Sequence, residues 1–124
     1  AYILGRIFAV WEQIQEEAAN GDKSDKKKKI NATIKDKYFN SMCSTPARIF
    51  PILQKLSGHH LKKIEQNQPG FRVNLEKQLT YLMAKLEPNS IPKILNLEEQ
   101  GMFVLGYYHQ VQARYTKKED KDNG

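Results

Sequence analysis

From Leu4 to Ala18, the apolar residues Leu4, Ile7, Phe8, Trp11, Ile14 and Ala18 recur at spacings of three and four. Glu12, Glu16 and Glu17 lie toward the other side. That period belongs to one face of an α-helix, not to a strand, whose side chains alternate every second residue. The pattern returns in later stretches, and nowhere does the chain show strand alternation or a hairpin turn signal. The expected fold class is therefore all-α, a compact bundle of about five helices.

The breaks between the stretches set the boundaries. The first helix is predicted over 2–19 and ends at "NGDKSDKKKK", where Asn, Gly and a self-repelling lysine run oppose helix and burial. A mobile Lys-rich loop is expected over 20–30. The second helix is predicted from Asn31, its cap, to Cys43, with Ile34, Tyr38 and Met42 in a stripe. Thr45 as cap and Pro46 at the first helical position restart the chain as a third helix to Gln66. Pro51 inside it predicts a kink near Ile49 and Phe50. "NQPG" is a turn, and a fourth helix covers 71–86. After "EPNSIP", Asn96 and Glu99 have the spacing of a capping box, which opens a fifth helix. Lys117 and Lys118 suit its last turn, where positive charge meets the negative end of the helix dipole. The domain reading is one helical bundle over 1–118 and a polar tail over 119–124.

"GYYHQVQARYTKK", residues 106–118, decides between a catalytic cluster, a base-stacking platform and a core. On a helical wheel Phe103, Val104, Tyr107, Tyr108, Val111 and Tyr115 take one side. Met102, Leu105, Gly106, His109 and Ala113 take the other. Only Gln110, Arg114 and Lys117 form a clearly polar stripe. A helix apolar nearly all round is expected to be buried. Tyr107, Tyr108 and Tyr115 then read as core residues with hydroxyls at the rim, and His109 as a core histidine. Gly101 and Gly106 would let neighbouring helices approach closely.

Charge is unevenly spread. The chain carries a formal +6, yet residues 26–63 hold ten basic residues and one acid, a local +9 against −3 for the remainder. Such asymmetry points to a polyanion partner, with a merely solubilising surface as the alternative. On the third helix Arg48, Lys55, His59, Lys62 and Lys63 fall within an arc of about 100° with no carboxylate among them, a rail about 22 Å long. A phosphate-tracking role is expected for it. The candidate nucleic-acid-binding set is these five together with Lys35, Lys37, Arg114 and Lys117.

Catalytic patterns are missing. The chain has no phosphate-loop, dinucleotide or HExxH motif, and no cysteine–histidine set for zinc. His59 and His60 are adjacent, so on a helix they point about 100° apart and cannot clamp one metal. Ser57 beside His59 is poor triad geometry, and the scattered acids suit no two-metal site. No catalytic residue, metal or cofactor is expected, and the chain reads as a non-enzyme without a small-molecule substrate. Cys43, the single cysteine, is expected as a buried thiol in a reducing cytoplasm. No apolar run is long enough for a membrane span, the N-terminus lacks a signal-peptide pattern, and Asn31-Ala32-Thr33 is taken as a chance match to the glycosylation motif.

Three blocks carry a resemblance: "AYILGRIFAVWEQIQ", "INATIKDKYFNSMCSTPARIFPILQKLSGHHLKKIE" and "LNLEEQGMFVLGYYHQVQARYTKK". In this order they resemble the C-terminal region of the large subunit of type I-C CRISPR Cascade. In that family the region is also translated separately as a helical small subunit, present in more than one copy. A chain opening directly in a helix fits such an internal start, although a segment of the large subunit would read the same. The resemblance implies a non-catalytic subunit lining the belly of the complex. Its implied partners are the backbone subunits, the large subunit, a second copy of itself, guide RNA and target DNA, including the displaced strand. Sequence would be read by base pairing, and the protein would supply charge without sequence preference. The competing reading is a protein–protein adaptor whose basic face meets an acidic partner surface.

Overall fold

The computed structural model describes the backbone of residues 1–20, 34–67, 69–86 and 91–122. The expected loop over 20–30 lies outside them apart from Asn20, as does the predicted cap Asn31. The described chain forms α1 (Tyr2–Asn20), α2 (Ile34–Ser44), α3 (Pro46–Asn67), α4 (Pro69–Met83) and α5 (Leu97–Asp122). Every regular element among the described residues is an α-helix, so the all-α expectation holds.

Helix ends follow local chemistry, with departures from expectation at Thr45, at both ends of α4 and at the end of α5. Asn96 and Glu99 form the full capping box. The Glu99 amide donates to Asn96 Oδ1 at 2.8 Å and the Asn96 amide donates to Glu99 Oε1 at 3.0 Å. Thr45 behaves differently. Its hydroxyl donates backward to the Ser41 carbonyl at 3.0 Å, closing the end of α2 rather than capping α3. The reason is the short α2–α3 junction, where the Thr45 amide also donates to the Ser41 carbonyl. α4 starts at Pro69, two residues early, and ends at Met83. Lys85 and Leu86 then donate to carbonyls three residues back, the tighter turn in which helices wind down. α3 runs unbroken through Pro51, which lies exposed on its outer side. α5 continues past Lys117 and Lys118 to Asp122.

α1 occupies the middle of the bundle. It packs against all four other helices, whereas α3 and α5 do not approach one another among the described residues. Leu4, Ile7, Phe8, Ala9, Val10, Trp11, Ile14 and Ala18 are buried, which covers nearly the whole circumference of α1. Phe8 meets Phe39, Phe103 and Tyr107 with centroids 5.6–6.0 Å apart. Trp11 meets Phe50 of α3 at 5.0 Å. Gln15 of α1 accepts the Ile34 amide at 2.9 Å and so satisfies the first turn of α2. The segment before α5 is tied to the α2–α3 corner: the Leu95 amide donates to the Ser44 carbonyl and the Ala47 amide to the Pro92 carbonyl. Cys43 is buried there with Sγ 3.6 Å from the Gln100 carbonyl, and burial raises its thiol pKa.

The α1–α5 crossing depends on two glycines. A Cβ on Gly5 would lie 2.0 Å from the Phe103 carbonyl oxygen, and one on Gly106 would lie 2.0 Å from that of Tyr2. The close approach expected of Gly106 is therefore present. Gly101 has nothing within 4 Å of a built Cβ and permits no such contact. Gly5→Ala or Gly106→Ala must push backbone from backbone and should cost at least about 3 kcal/mol, the upper end of core overpacking. Gly101→Ala should instead stabilise by up to about 1 kcal/mol through helix propensity. Urea denaturation of the three variants checks both signs.

Candidate nucleic-acid interface

α3 separates its two kinds of residue by side. Ile49, Phe50, Leu53, Leu61 and Ile64 are buried toward α1, α2 and α4. Ser57 is buried with them and donates to the Gln54 carbonyl at 2.8 Å, an ordinary helix back-bond rather than a nucleophile's partner. The opposite side carries Arg48, Lys55, His59, Lys62 and Lys63, all exposed. No ion pair engages Arg48, Lys55, Lys62 or Lys63 among the described residues. The structure thus brings the five α3 candidates together on one solvent-facing arc. One member of that arc escaped the sequence reading: Ile52, 43% exposed, sits between Arg48 and Lys55.

Lys35 and Lys37 lie on α2, not on this arc. Lys35 of α2 turns to α5, with Nζ 5.0 Å from the Tyr107 ring centroid, 5.4 Å from Tyr108 and 5.9 Å from Phe39. Its ammonium lies against these aromatic rings. Lys37 is exposed on α2. Arg114 and Lys117 fall on the later turns of α5, where side chains lie outside the described residues.

The tyrosine-rich stretch divides in a way the wheel did not separate. Tyr107 is core: its ring packs on Phe8 and Phe39, and its hydroxyl donates to Glu12 Oε1 at 2.5 Å. Burial, then the Glu12 carboxylate, push its pKa far above the ordinary tyrosine range. Tyr108 is not core. Met102, Leu105 and Tyr108 are 43%, 44% and 51% exposed and form an outward apolar stripe on α5. The expectation of a helix buried all round fails, because only the side holding Phe103, Gly106 and Tyr107 faces α1. His109 is likewise exposed rather than core. Its Nδ1 shares a 2.9 Å hydrogen bond with the Tyr2 hydroxyl, and the two rings meet edge-on at 5.7 Å. The expected position of Tyr115 lies among side chains outside the described residues.

Among the described residues no three His, Cys, Asp or Glu side chains gather to hold a metal ion. No helix searched there is long and apolar enough to cross a membrane.

The family model for CRISPR-associated protein (Cas_Csd1) matches residues 1–115. The chain belongs to that family. As a Cas_Csd1 member it is a component of the type I-C CRISPR Cascade, a complex of several subunits. No curated protein matches the chain. The family match covers α1 to α4 and most of α5, so the exposed arc of α3 and the outward stripe of α5 both lie within the Cas_Csd1 region.

His60 borders the basic arc and is half-buried. Burial lowers its pKa, and the charges of Lys63 and His59 lower it further. The folded Cas_Csd1 chain therefore binds fewer protons at this site than the unfolded chain. Above the unfolded histidine pKa of about 6.5 the two states are equally neutral and the site contributes nothing. As pH falls below that value the unfolded state protonates first, and stability declines until the folded pKa is passed. Midpoints of thermal unfolding should fall between pH 7 and pH 5, and His60→Gln should flatten that part of the profile.

Proposed function

We propose that this Cas_Csd1 chain is the non-catalytic small subunit of a type I-C Cascade. In this reading it scaffolds the belly of the complex in the cytoplasm and holds nucleic-acid backbone without sequence preference. The observation that carries it is the α3 arc, where Arg48, Lys55, His59, Lys62 and Lys63 all face solvent. A cationic face that served only solvent would gain from interleaved acids at helical spacing. Here the arc holds none. Its cations can instead replace the condensed counterions of a nucleic acid. The arc is one helix long and rigid, so it tracks a backbone and reads no base edge. The guide RNA paired to target DNA, or the displaced strand, supplies such a backbone.

The scaffolding half of the reading is supported by α5. Met102, Leu105 and Tyr108, with Ile94 and Leu97 ahead of them, expose apolar surface that a solitary chain has no reason to keep. A subunit of Cascade has neighbours to cover it, whether the backbone subunits, the large subunit or another copy. The adaptor reading takes the same stripe as its evidence and gives the α3 arc an acidic protein partner.

Reconstituted Cascade carrying Arg48→Glu, Lys55→Glu and Lys62→Glu in this subunit separates the two. If these side chains hold phosphates, the log–log salt dependence of target-DNA affinity should flatten by roughly 0.7 units for each single-strand phosphate released. A complex that fails to assemble would favour the adaptor, and an assembled complex with an unchanged slope would remove the arc from nucleic acid altogether.

A further inference from the structure

A second basic surface uses none of the α3 arc residues, and it differs by holding aromatic rings. Tyr81 of α4 is 59% exposed, and Lys85, in the turn after α4, places Nζ 4.5 Å from its ring centroid. Lys77, one turn before Tyr81, is also exposed. On α1 the Arg6 guanidinium lies 5.9 Å from the Tyr2 ring centroid, and its Nε donates to Gln110 Oε1 at 3.0 Å. Gln110 Nε2 in turn reaches Gln78 Oε1 of α4 at 3.4 Å, and Tyr2 meets the exposed His109 of α5. Three helices therefore bring Tyr2, Arg6, Tyr81, Lys85 and His109 to one surface. A hydrogen bond from Lys85, then the charges of Lys85 and Arg6, lower the Tyr81 hydroxyl pKa, which agrees with this placement.

None of these five residues is acidic. Cations beside solvent-exposed rings match the way single strands are held, with phosphates on the cations and unpaired bases on the rings. A duplex offers no free base face along its length, so it would use the cations and leave Tyr81 idle. An acidic peptide would do the same.

We propose that Tyr81, flanked by Lys85 and Arg6, forms a second nucleic-acid surface of this chain, one that stacks an unpaired base of a single strand. It rests on the reading of the chain as a nucleic-acid-holding subunit, but shares no residue with the α3 arc. Tyr81 supplies the stacking face, and Lys85 and Arg6 supply the charge for the adjoining phosphates.

The test titrates the full chain with single-stranded oligothymidylate and with a duplex of equal length. Tyr81→Ala should lower single-strand affinity on the order of tenfold, the effect of removing one stacking ring. Duplex affinity should not change, and Tyr81→Phe should retain single-strand binding because the ring is kept. The side chain is exposed, so circular dichroism should show an unchanged fold. The Arg48, Lys55 and Lys62 reversal, run in parallel, should weaken both probes. If that reversal weakens both while Tyr81→Ala changes neither, the stacking surface is overturned and the α3 arc stands. If Tyr81→Ala alone has an effect, the stacking surface stands and the arc falls. Loss on Lys85→Ala without loss on Tyr81→Ala would make the patch a charge surface only and would overturn base stacking. A chain that holds neither probe at low salt would overturn both.

Discussion

Where α1 crosses α5, two glycines let backbone meet backbone. Gly5 sits over the Phe103 carbonyl and Gly106 over that of Tyr2, at distances no Cβ could share. This contact sets the rest of the bundle. It brings α1 close enough to α5 for Phe8 to enter the aromatic cluster with Phe103 and Tyr107, which Phe39 of α2 completes. It also leaves the rest of the α1 circumference for α2, α3 and α4. Dispersion among closely packed rings is weak per atom pair and large in sum, so a displacement of one helix by a methyl's width would be felt through the cluster.

With α1 enclosed, α3 and α5, which do not meet each other among the described residues, are each left with an outer side. Their outer sides carry opposite chemistry. α3 presents charge, and α5 presents apolar surface. A chain working alone would gain nothing from either. An apolar stripe invites association, and a row of cations without interleaved acids invites an anionic partner. Both fit the proposed reading, a subunit with protein on one flank and polyanion on another.

The fold was legible where the signal is local. The Asn96–Glu99 box is a four-residue event, and both of its hydrogen bonds are present. The basic arc of α3 was legible for the same reason, since one helix and its period place all five residues. Thr45 shows the limit. Its hydroxyl had two acceptor directions, and which one wins depends on how tightly α2 and α3 join. The larger miss concerns which helix is central. Periodicity marked α1 as amphipathic and α5 as apolar all round, whereas α1 is the enclosed one. Hydropathy records what a side chain can bury against, and it does not distinguish this chain's own core from a partner's surface. Met102, Leu105 and Tyr108 look like core in the sequence because their apolar chemistry would suit either.

The same limit explains why the sequence reading put Tyr107 and Tyr108 together in the core and singled out no tyrosine of α4. In "GYYHQVQARYTKK" the aromatic and basic residues are adjacent in the chain, yet the structure uses Tyr107 to fill the core and brings Lys35 of α2 against its ring. Tyr81 stands alone in its helix sequence, flanked by lysines four residues to either side. That spacing puts Lys77 one turn before Tyr81 on α4, and the turn after the helix brings Lys85 over the ring, so ring and charges share an accessible edge. Arg6 and Tyr2 arrive from the far end of the sequence, carried there by the glycine crossing that positions the first turns of α1 against α5. An aromatic ring is available to a ligand only if the core has not claimed it. In this bundle the core claims Tyr107 through Glu12 and Phe8, and it makes no such claim on Tyr81.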